Sequence, residues 1–563
     1  MVQFSLENQN MRETVIASVC GNEIEAKFGA PIASVLPEEV DGRPVLGAVM
    51  DNMLVPLGTP LAWDVDVSPV TIASPSGSNI YQASLSFVLA KCAAKLYPKG
   101  RFHVRNSIGR ALFFSLDLPA DDTDGISAAA IAISSELDAL IERDVPITTD
   151  LVSYRDAVDI FGEAERMDEL HILKHRNPPA VLLTRCEDFV ALNQVPLVRR
   201  TGLLGLYDLQ PADGGFILRM PSDLSPDAIT PIPDVSHYMR EFAERESWGE
   251  AVGVRTVGDL NATILEGRFD DFVRAAESLH RRSLCAIADK IVSHKPDVRL
   301  VLVAGPSSAG KTTTAHRLAN ELRACGKRVL IMSTDDYFVG DARNPRDENG
   351  NLDYECVGAV DQDLLAADLN ALFIGEKVHL RKFDFIKHEG NDADAPTSLP
   401  EGGIVLLEGI HALNPELTEG IDDSLKFRVY LNAYTQIAID CCNRISTRDT
   451  RLLRRLIRDF RTRGMSPKDT ISMWPKVMAG EYKWIFPFQK YADATFNSAL
   501  EYELAVLKPY AGPLLDLVKP WDPEFLVARR LSGILHNVAV SSSNAVPGDS
   551  ILRETIGGSQ LSY

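Results

Sequence analysis

The sequence lacks any CxxC pair, and none of its eight cysteines (Cys20, Cys92, Cys186, Cys285, Cys325, Cys356, Cys441, Cys442) stands at a zinc-type spacing from histidine. A structural zinc site is excluded on that ground, and the cysteines are expected as reduced thiols, mostly buried. No stretch approaches the roughly 18 apolar residues of a membrane span. The opening MVQFSLENQNMRETV has no basic region followed by an apolar one. A cytoplasmic protein with no membrane partner is the expectation. Positive charge is short as well: 58 Lys and Arg stand against 78 Asp and Glu, a formal net charge of -20. Phosphate neutralisation needs a basic face, so general nucleic-acid binding is excluded and any basic cluster has a local purpose. No solenoid-type repeat is present.

What is there suits a soluble globular chain: 45% hydrophobic and 24% charged residues over 563 positions. That length calls for about three or four domains. Residues 1–65 alternate short β-rich runs with turns, as in Thr14 to Cys20 and Val45 to Val55, and form a small β-rich module. Residues 66–225 read as an α+β domain, with helical spacing over Ser84 to Leu96 and a buried strand at Ala180 to Leu183. Residues 226–295 read as a helical connector, with a stripe of Leu265, Phe269, Phe272, Ala276 and Leu279. From 296 to 535 apolar runs alternate with amphipathic stretches, the order of a parallel sheet flanked by helices. Residues 536–563 read as a mobile tail, rich in Ser, Asn and Val over Val538 to Pro547, before a short helix capped by Ser550. The fold class is multidomain α/β.

The sharpest motif is Gly305-Pro306-Ser307-Ser308-Ala309-Gly310-Lys311-Thr312, of the form GxxxxGK[ST], followed by Thr313. The apolar run Val298 to Val303 precedes it. Ala315, Leu318, Ala319 and Leu322 mark the following helix, which Gly326 can end. In that setting the glycines let backbone N–H groups turn toward phosphate oxygens, and the helix N-terminus adds positive potential. Lys311 reaches the β and γ phosphates, and the Thr312 hydroxyl is suited to Mg2+. The expected cofactors are therefore ATP or GTP with Mg2+.

Two further strands end in carboxylates. Val329 to Met332 leads to Asp335 and Asp336, placing acids at the carboxyl edge of the sheet, where one can take the proton of an attacking hydroxyl. Ile404 to Leu407 ends in Glu408, an acid placed to share the metal with Thr312. A third feature is Arg451, Arg454, Arg455 and Arg458 on one helix face, with Arg461 and Arg463 behind. In a kinase such a helix can close over the nucleotide, its guanidinium groups bonding phosphate oxygens.

From Val298 to about Leu535 these motifs, in this order, resemble the uridine-cytidine kinase and phosphoribulokinase group of P-loop kinases. GPSSAGKTT, STDDYF, an FDF-and-His segment, a strand ending in EGI and DTRLLRRLIRD carry the resemblance. It implies that Asp335 is the general base and also lies at the metal. It likewise puts Glu408 and Thr312 at Mg2+, gives Arg451, Arg454 and Arg458 to the lid, and has Asp353, Phe383 and His388 hold a nucleoside. Asp353 lies in LDYECVGAVD where those enzymes have FDHPDAFD, and Phe383 stands where tyrosine is usual. The front half resembles the N-terminal region of threonyl-tRNA synthetases, a TGS-like β-grasp module and an editing-like domain. Its SLSFVLA segment has Ser84 and Val88 in place of the editing histidines, which implies binding or regulation instead. The whole arrangement, with the ending SILRETIGGS, resembles bacterial and protist proteins described as uridine kinase-like.

The leading expectation is thus a phosphotransferase moving the γ-phosphoryl group of ATP to the 5'-hydroxyl of a nucleoside, uridine or cytidine. A sugar-phosphate acceptor, for which Lys382 and Lys387 supply positive charge, and a nucleotide-sensing module acting on RNA or protein are the other readings. Assembly into a homo-oligomer stays open.

Overall fold

The structure, a computed structural model, describes residues 13–118, 125–231, 245, 247–348, 350–384, 387 and 389–561. The chain forms two compact units. The first holds Met1–Ala262 with Gln436–Ile445 and Val518–Val538, and the second holds Thr263–Thr435, Ser446–Leu517 and Ala539–Tyr563. Two stretches of the segment 296–535 therefore belong to the first unit, a division that linear reading does not anticipate. No described helix is long and apolar enough to cross a membrane.

The first unit opens with strands β1 (Thr14–Val19), β2 (Asn22–Lys27), β3 (Gly47–Met50), β4 (Met53–Val55) and β5 (Val65–Val70). They form one mixed sheet, order β2-β1-β5-β3-β4, in which β1 and β5 are parallel. The β3–β4 hairpin turns at Asp51 and Asn52, both with positive φ (46° and 59°), as a tight two-residue turn demands. The module thus runs past residue 65, because β5 is its central strand.

Helix α1 (Pro75–Leu96) follows, with Ser74 as N-cap accepting from the Gly77 amide at 3.1 Å and proline in its first turn. Strands β6 (Arg101–Ile108) and β7 (Ala111–Asp117), helix α2 (Gly125–Glu142), strand β8 (Thr148–Ser153) and helices α3 (Tyr154–Glu163) and α4 (Met167–Arg176) come next. Then come β9 (Ala180–Cys186), β10 (Phe189–Leu192), β11 (Asp208–Ala212) and β12 (Gly215–Arg219). They build an antiparallel sheet β11-β12-β7-β6 and a smaller one, β8-β9-β10. Leu85, Val88 and Leu89 of α1 share a core with Ile133, Leu137, Phe114 and Phe216. Strand β9 is not buried on both faces: Ala180 and Leu182 point to solvent while Val181 and Leu183 are buried.

The second unit begins, after α5 (Val257–Leu265), with the long helix α6 (Phe269–Ser293). The expected stripe breaks at Leu265, which is exposed, because Gly267 at φ +75° separates the helices. Nor is α6 a mere connector: Leu284, Ile287 and Ile291 belong to the same core as Leu318 and Leu322. Strand β13 (Leu300–Ala304), helix α7 (Lys311–Ala324) and strand β14 (Val329–Ser333) come next. They are followed by helix α8 (Gln362–Phe373), the β15 (Arg381–Asp384) and β16 (Glu389–Asp392) hairpin, β17 (Ile404–Glu408) and β18 (Lys426–Asn432). Helices α9 (Thr447–Thr462) and α10 (Pro467–Trp484), strand β19 (Ala494–Asn497) and helix α11 (Glu503–Leu515) complete the central body. The sheet order is β14-β17-β13-β18-β19 and every pairing is parallel. The near-continuous Val, Ile and Leu of β13 and β17 fit burial on both faces, and all ten of their residues are buried.

Helix Phe525–His536 belongs to the first unit, and a last short helix, α12 (Ile551–Ile556), to the second. The expectation of a mobile tail is corrected here. Val538, Ala539, Val546, Ser550, Ile551 and Leu552 are all buried, since the apolar residues among the Ser and Asn find a core that linear composition does not reveal.

Candidate active site

The carboxyl ends of β13, β14 and β17 converge on one edge, where open parallel sheets leave room for ligands. The loop after β13 turns through Ser308 (φ 57°) and Gly310 (φ 89°). A Cβ on Gly305 would stand 2.2 Å from the Leu431 carbonyl oxygen, so only glycine lets the loop lie on β18. The buried Ser308 hydroxyl has no hydrogen-bond partner in the loop. Lys311 Nζ donates to the Pro306 carbonyl at 3.2 Å, folding its ammonium back over the loop.

Across from it, Glu408 at the end of β17 accepts from Thr312 Oγ1 at 3.0 Å and from Ser333 Oγ at 3.1 Å. Burial pushes this carboxyl up to about 7, with the neighbouring Asp335 carboxylate adding to the rise and Lys311 opposing it. Gly409 follows because a Cβ there would stand 1.7 Å from Thr334 Oγ1. Asp335 lies in a single 3-10 turn, Thr334–Tyr337, its amide donating to the capping Ser333 Oγ at 3.3 Å. Asp336 faces elsewhere, held by Lys382 Nζ at 3.1 Å and the Phe383 amide at 3.3 Å. Of the two acids, Asp335 is the one whose charge bears on Glu408.

Oxygen donors from Thr312, Ser333, Glu408 and Asp335 are the set a hard divalent cation takes, and a buried carboxylate beside a second one lacks the counter-charge that such a cation supplies. The residues therefore fit Mg2+. Together with Lys311 and the loop amides they also fit a polyphosphate.

The arginine helix α9 lies on the loop, but not as an exposed lid. Arg451 is 1% exposed, and its Nε donates to the Ser307 carbonyl at 2.8 Å while both terminal nitrogens bond Glu481 of α10. Glu481 in turn accepts from the Ser307 amide at 3.1 Å, and Arg455 Nη1 donates to Ser307 Oγ at 2.7 Å. The amide, carbonyl and hydroxyl of one loop residue are thus all held by α9 and α10. Arg454, expected among the phosphate-binding arginines, is corrected to a frame residue: it is 2% exposed and committed to Glu503 at 2.6 Å and to the Ser498 carbonyl at 2.9 Å. Arg458 pairs with the buried Asp459 at 2.7 Å and retains partial exposure.

Thr313 donates to Glu554 of α12 at 2.8 Å, so its hydroxyl serves the protein frame. Asp353 holds its own loop, accepting from the Glu355 amide at 3.1 Å. Phe383 is buried edge-on against Phe338, ring centroids 5.6 Å apart, rather than offering a free face. His388 lies outside the described residues. Linear reading missed Glu481, Glu355 and His411. The half-buried Glu355 carboxyl is pushed up to about 7 by burial, with Arg455 and Lys311 opposing and Glu481 and Asp335 adding to it. His411, three residues after Glu408, is wholly buried and pushed down to about 4 by burial.

Residues 300–505 match the model of the Phosphoribulokinase / Uridine kinase family. A uridine kinase of Deinococcus deserti is 31% identical over 220 residues, covering 38% of this chain and 91% of that one. A uridine kinase of Lactobacillus helveticus is 29% identical over 208 residues, 37% of this chain and 90% of that one. A solved structure of a possible uridine kinase from Bacillus stearothermophilus is 26% identical, with TM-score 0.23, covering 27% of this chain and 79% of that one.

Proposed function

The chain belongs to the phosphoribulokinase and uridine kinase family through residues 300–505, and from that premise we propose that it is an ATP-dependent nucleoside kinase phosphorylating the 5'-hydroxyl of uridine or cytidine. At the coarser level it is a phosphotransferase with an alcohol acceptor. The observation that carries the reading is Glu408, bonded at once to Thr312 of the phosphate loop and to Ser333, two residues before Asp335, which supports a metal ligand and a base at one sheet edge.

In this mechanism the amides of the loop and Lys311 hold the β and γ phosphates of ATP (or GTP) and draw off developing charge. Thr312 and Glu408, with Asp335 close by, would hold Mg2+, which would supply positive charge to offset that of the phosphates. Asp335 accepts the proton of the attacking hydroxyl. Arg455, bonded to Ser307 Oγ, and Arg458, three residues further along α9, stabilise the transferring group, while Arg451 fixes the loop through Ser307. Asp353, with His388, supplies acceptor contacts in the family pattern, and Phe383 packs behind them against Phe338. The acids Asp335 and Glu355 favour an uncharged acceptor over a sugar phosphate.

For the first unit we propose a binding or regulatory role. Its leading sheet, with parallel central strands, is compatible with a β-grasp of TGS type. Ser84, where an editing enzyme carries histidine, is buried with its hydroxyl donating to the Ile80 carbonyl at 2.7 Å and accepting from the Val198 amide at 2.9 Å, which favours structure over hydrolysis. A cytoplasmic location goes with the whole reading.

The test is turnover with ATP and Mg2+ over all ribo- and deoxyribonucleosides and the pentose phosphates. Turnover of uridine or cytidine supports the proposal. Turnover of a pentose phosphate alone moves the acceptor class, and no turnover on any acceptor would favour a nucleotide sensor.

A further inference from the structure

The segment 539–556 lies outside the family match, which stops at residue 505, yet it packs on the phosphate loop. Three observations tie it there. Ile551 shares a core with Ala309 and Ala315. A Cβ on Gly310 would stand 2.5 Å from Ile551 Cγ2, so the side chain sits against the left-handed turn that aims the loop amides. Glu554 Oε2 accepts from Thr313 Oγ1 at 2.8 Å, in the first turn of α7.

The segment is itself tied down. Ser541 N donates to the Ala505 carbonyl at 3.1 Å, and Arg553 Nη2 donates to the carbonyls of Ser543 at 2.9 Å and Val546 at 2.6 Å. Arg461 of α9, the helix that also grips Ser307, bonds the Thr555 carbonyl. The phosphate loop is therefore clasped from two sides: α9 and α10 hold Ser307, and α12 holds Gly310 and Thr313.

We infer that Glu554 and Ile551 are positioning residues of the nucleotide site, a strap that preorganises the phosphate loop by fixing Thr313 and backing Gly310. The inference rests on the P-loop reading above and adds to it a part of the chain the family comparison does not reach. A loop whose amides must converge on phosphate binds it better when its turn is already set, because the ordering cost is met in folding rather than on binding. The Glu554 carboxylate also lies at the first turn of α7, where a negative side chain suits the helix dipole.

The experiment is calorimetric binding of ATP with Mg2+ to the full chain and to Glu554→Ala, Glu554→Gln and Ile551→Ala, beside the thermal melting of each free protein. Loss of the turn that this bond presets predicts a dissociation constant about tenfold weaker in Glu554→Ala, and because the bond is already made in the free protein the variant also melts slightly lower than the wild type. Glu554→Gln keeps an acceptor for Thr313 and is expected to restore binding to within about twofold. Ile551→Ala weakens binding and also lowers the melting temperature, since it empties core volume. In turnover the KM for ATP rises while the KM for the acceptor stays. Wild-type-like binding by Glu554→Ala overturns the strap alone, as does a Gln variant that falls as far as the Ala variant. Failure of the wild type to bind ATP overturns the strap together with the P-loop reading, so the two failures are distinguishable.

Discussion

Among the described residues Lys311 donates only to Pro306, a weak tether that a phosphate can displace. Lys311→Ala is therefore expected to lower turnover about a thousandfold while circular dichroism and melting stay unchanged. Gly409 is the opposite kind of residue: a Cβ would overlap Thr334 Oγ1, so Gly409→Ala is expected to cost about 1–3 kcal/mol in urea denaturation by forcing the base loop from β17. A pH effect belongs to the first unit. The half-buried Asp168, which accepts from Thr256 Oγ1 at 3.1 Å, is pushed up to about 7 by burial, with Asp259 adding to it. Its folded pKa lies above its unfolded one, so the native state holds the proton longer. Its contribution to stability is best below about pH 4 and declines as pH rises to about 7. Asp168→Asn should melt higher than the wild type at pH 8 and should lose that advantage by about pH 4. An advantage equal at pH 8 and pH 4 would show that titration of Asp168 is not its cause.

At the scale of elements, what was legible in the sequence was what is local. GPSSAGKT sits between an apolar run and a helical stripe, so β13, the loop and α7 follow from neighbours alone, as do the strand ends at Ser333 and Glu408. The arginine face of α9 was legible as a face but not as a buried one. Its partners Glu481 and Glu503 lie on α10 and α11, and no spacing rule relates them to Arg451 and Arg454. The same holds for Ile551 and Glu554, whose partners lie on the loop and α7. Leu265 misled for the converse reason: it keeps helical spacing with Phe269 across a glycine that ends the helix. The buried pair at 2.6 Å gives a direct check. Arg454→Met alone leaves Glu503 buried and unpaired and is expected to cost about 3–5 kcal/mol, whereas Arg454→Met with Glu503→Leu recovers most of it. Arg458→Ala, at a partly exposed position whose partner Asp459 keeps Arg455 at 3.1 Å, should instead lower turnover with little loss of stability.

At the scale of the molecule, the kinase chemistry gathers in one unit, and the segments 436–445 and 518–538 leave it for the other. Ligand stabilisation follows mass action, so ATP with Mg2+ at a hundred times its dissociation constant should stabilise the folded chain by about 2.7 kcal/mol. The central claim is that Asp335, beside Glu408 and Thr312, takes a proton from a nucleoside hydroxyl as phosphate moves. Transfer of labelled γ-phosphate from ATP to uridine and cytidine, by wild type and by Asp335→Asn at matched nucleotide occupancy, tests it most directly. The account predicts a labelled nucleoside monophosphate from the wild type and a loss of about 10²–10⁴-fold in the variant, with ATP still bound. Transfer undiminished in Asp335→Asn would contradict it.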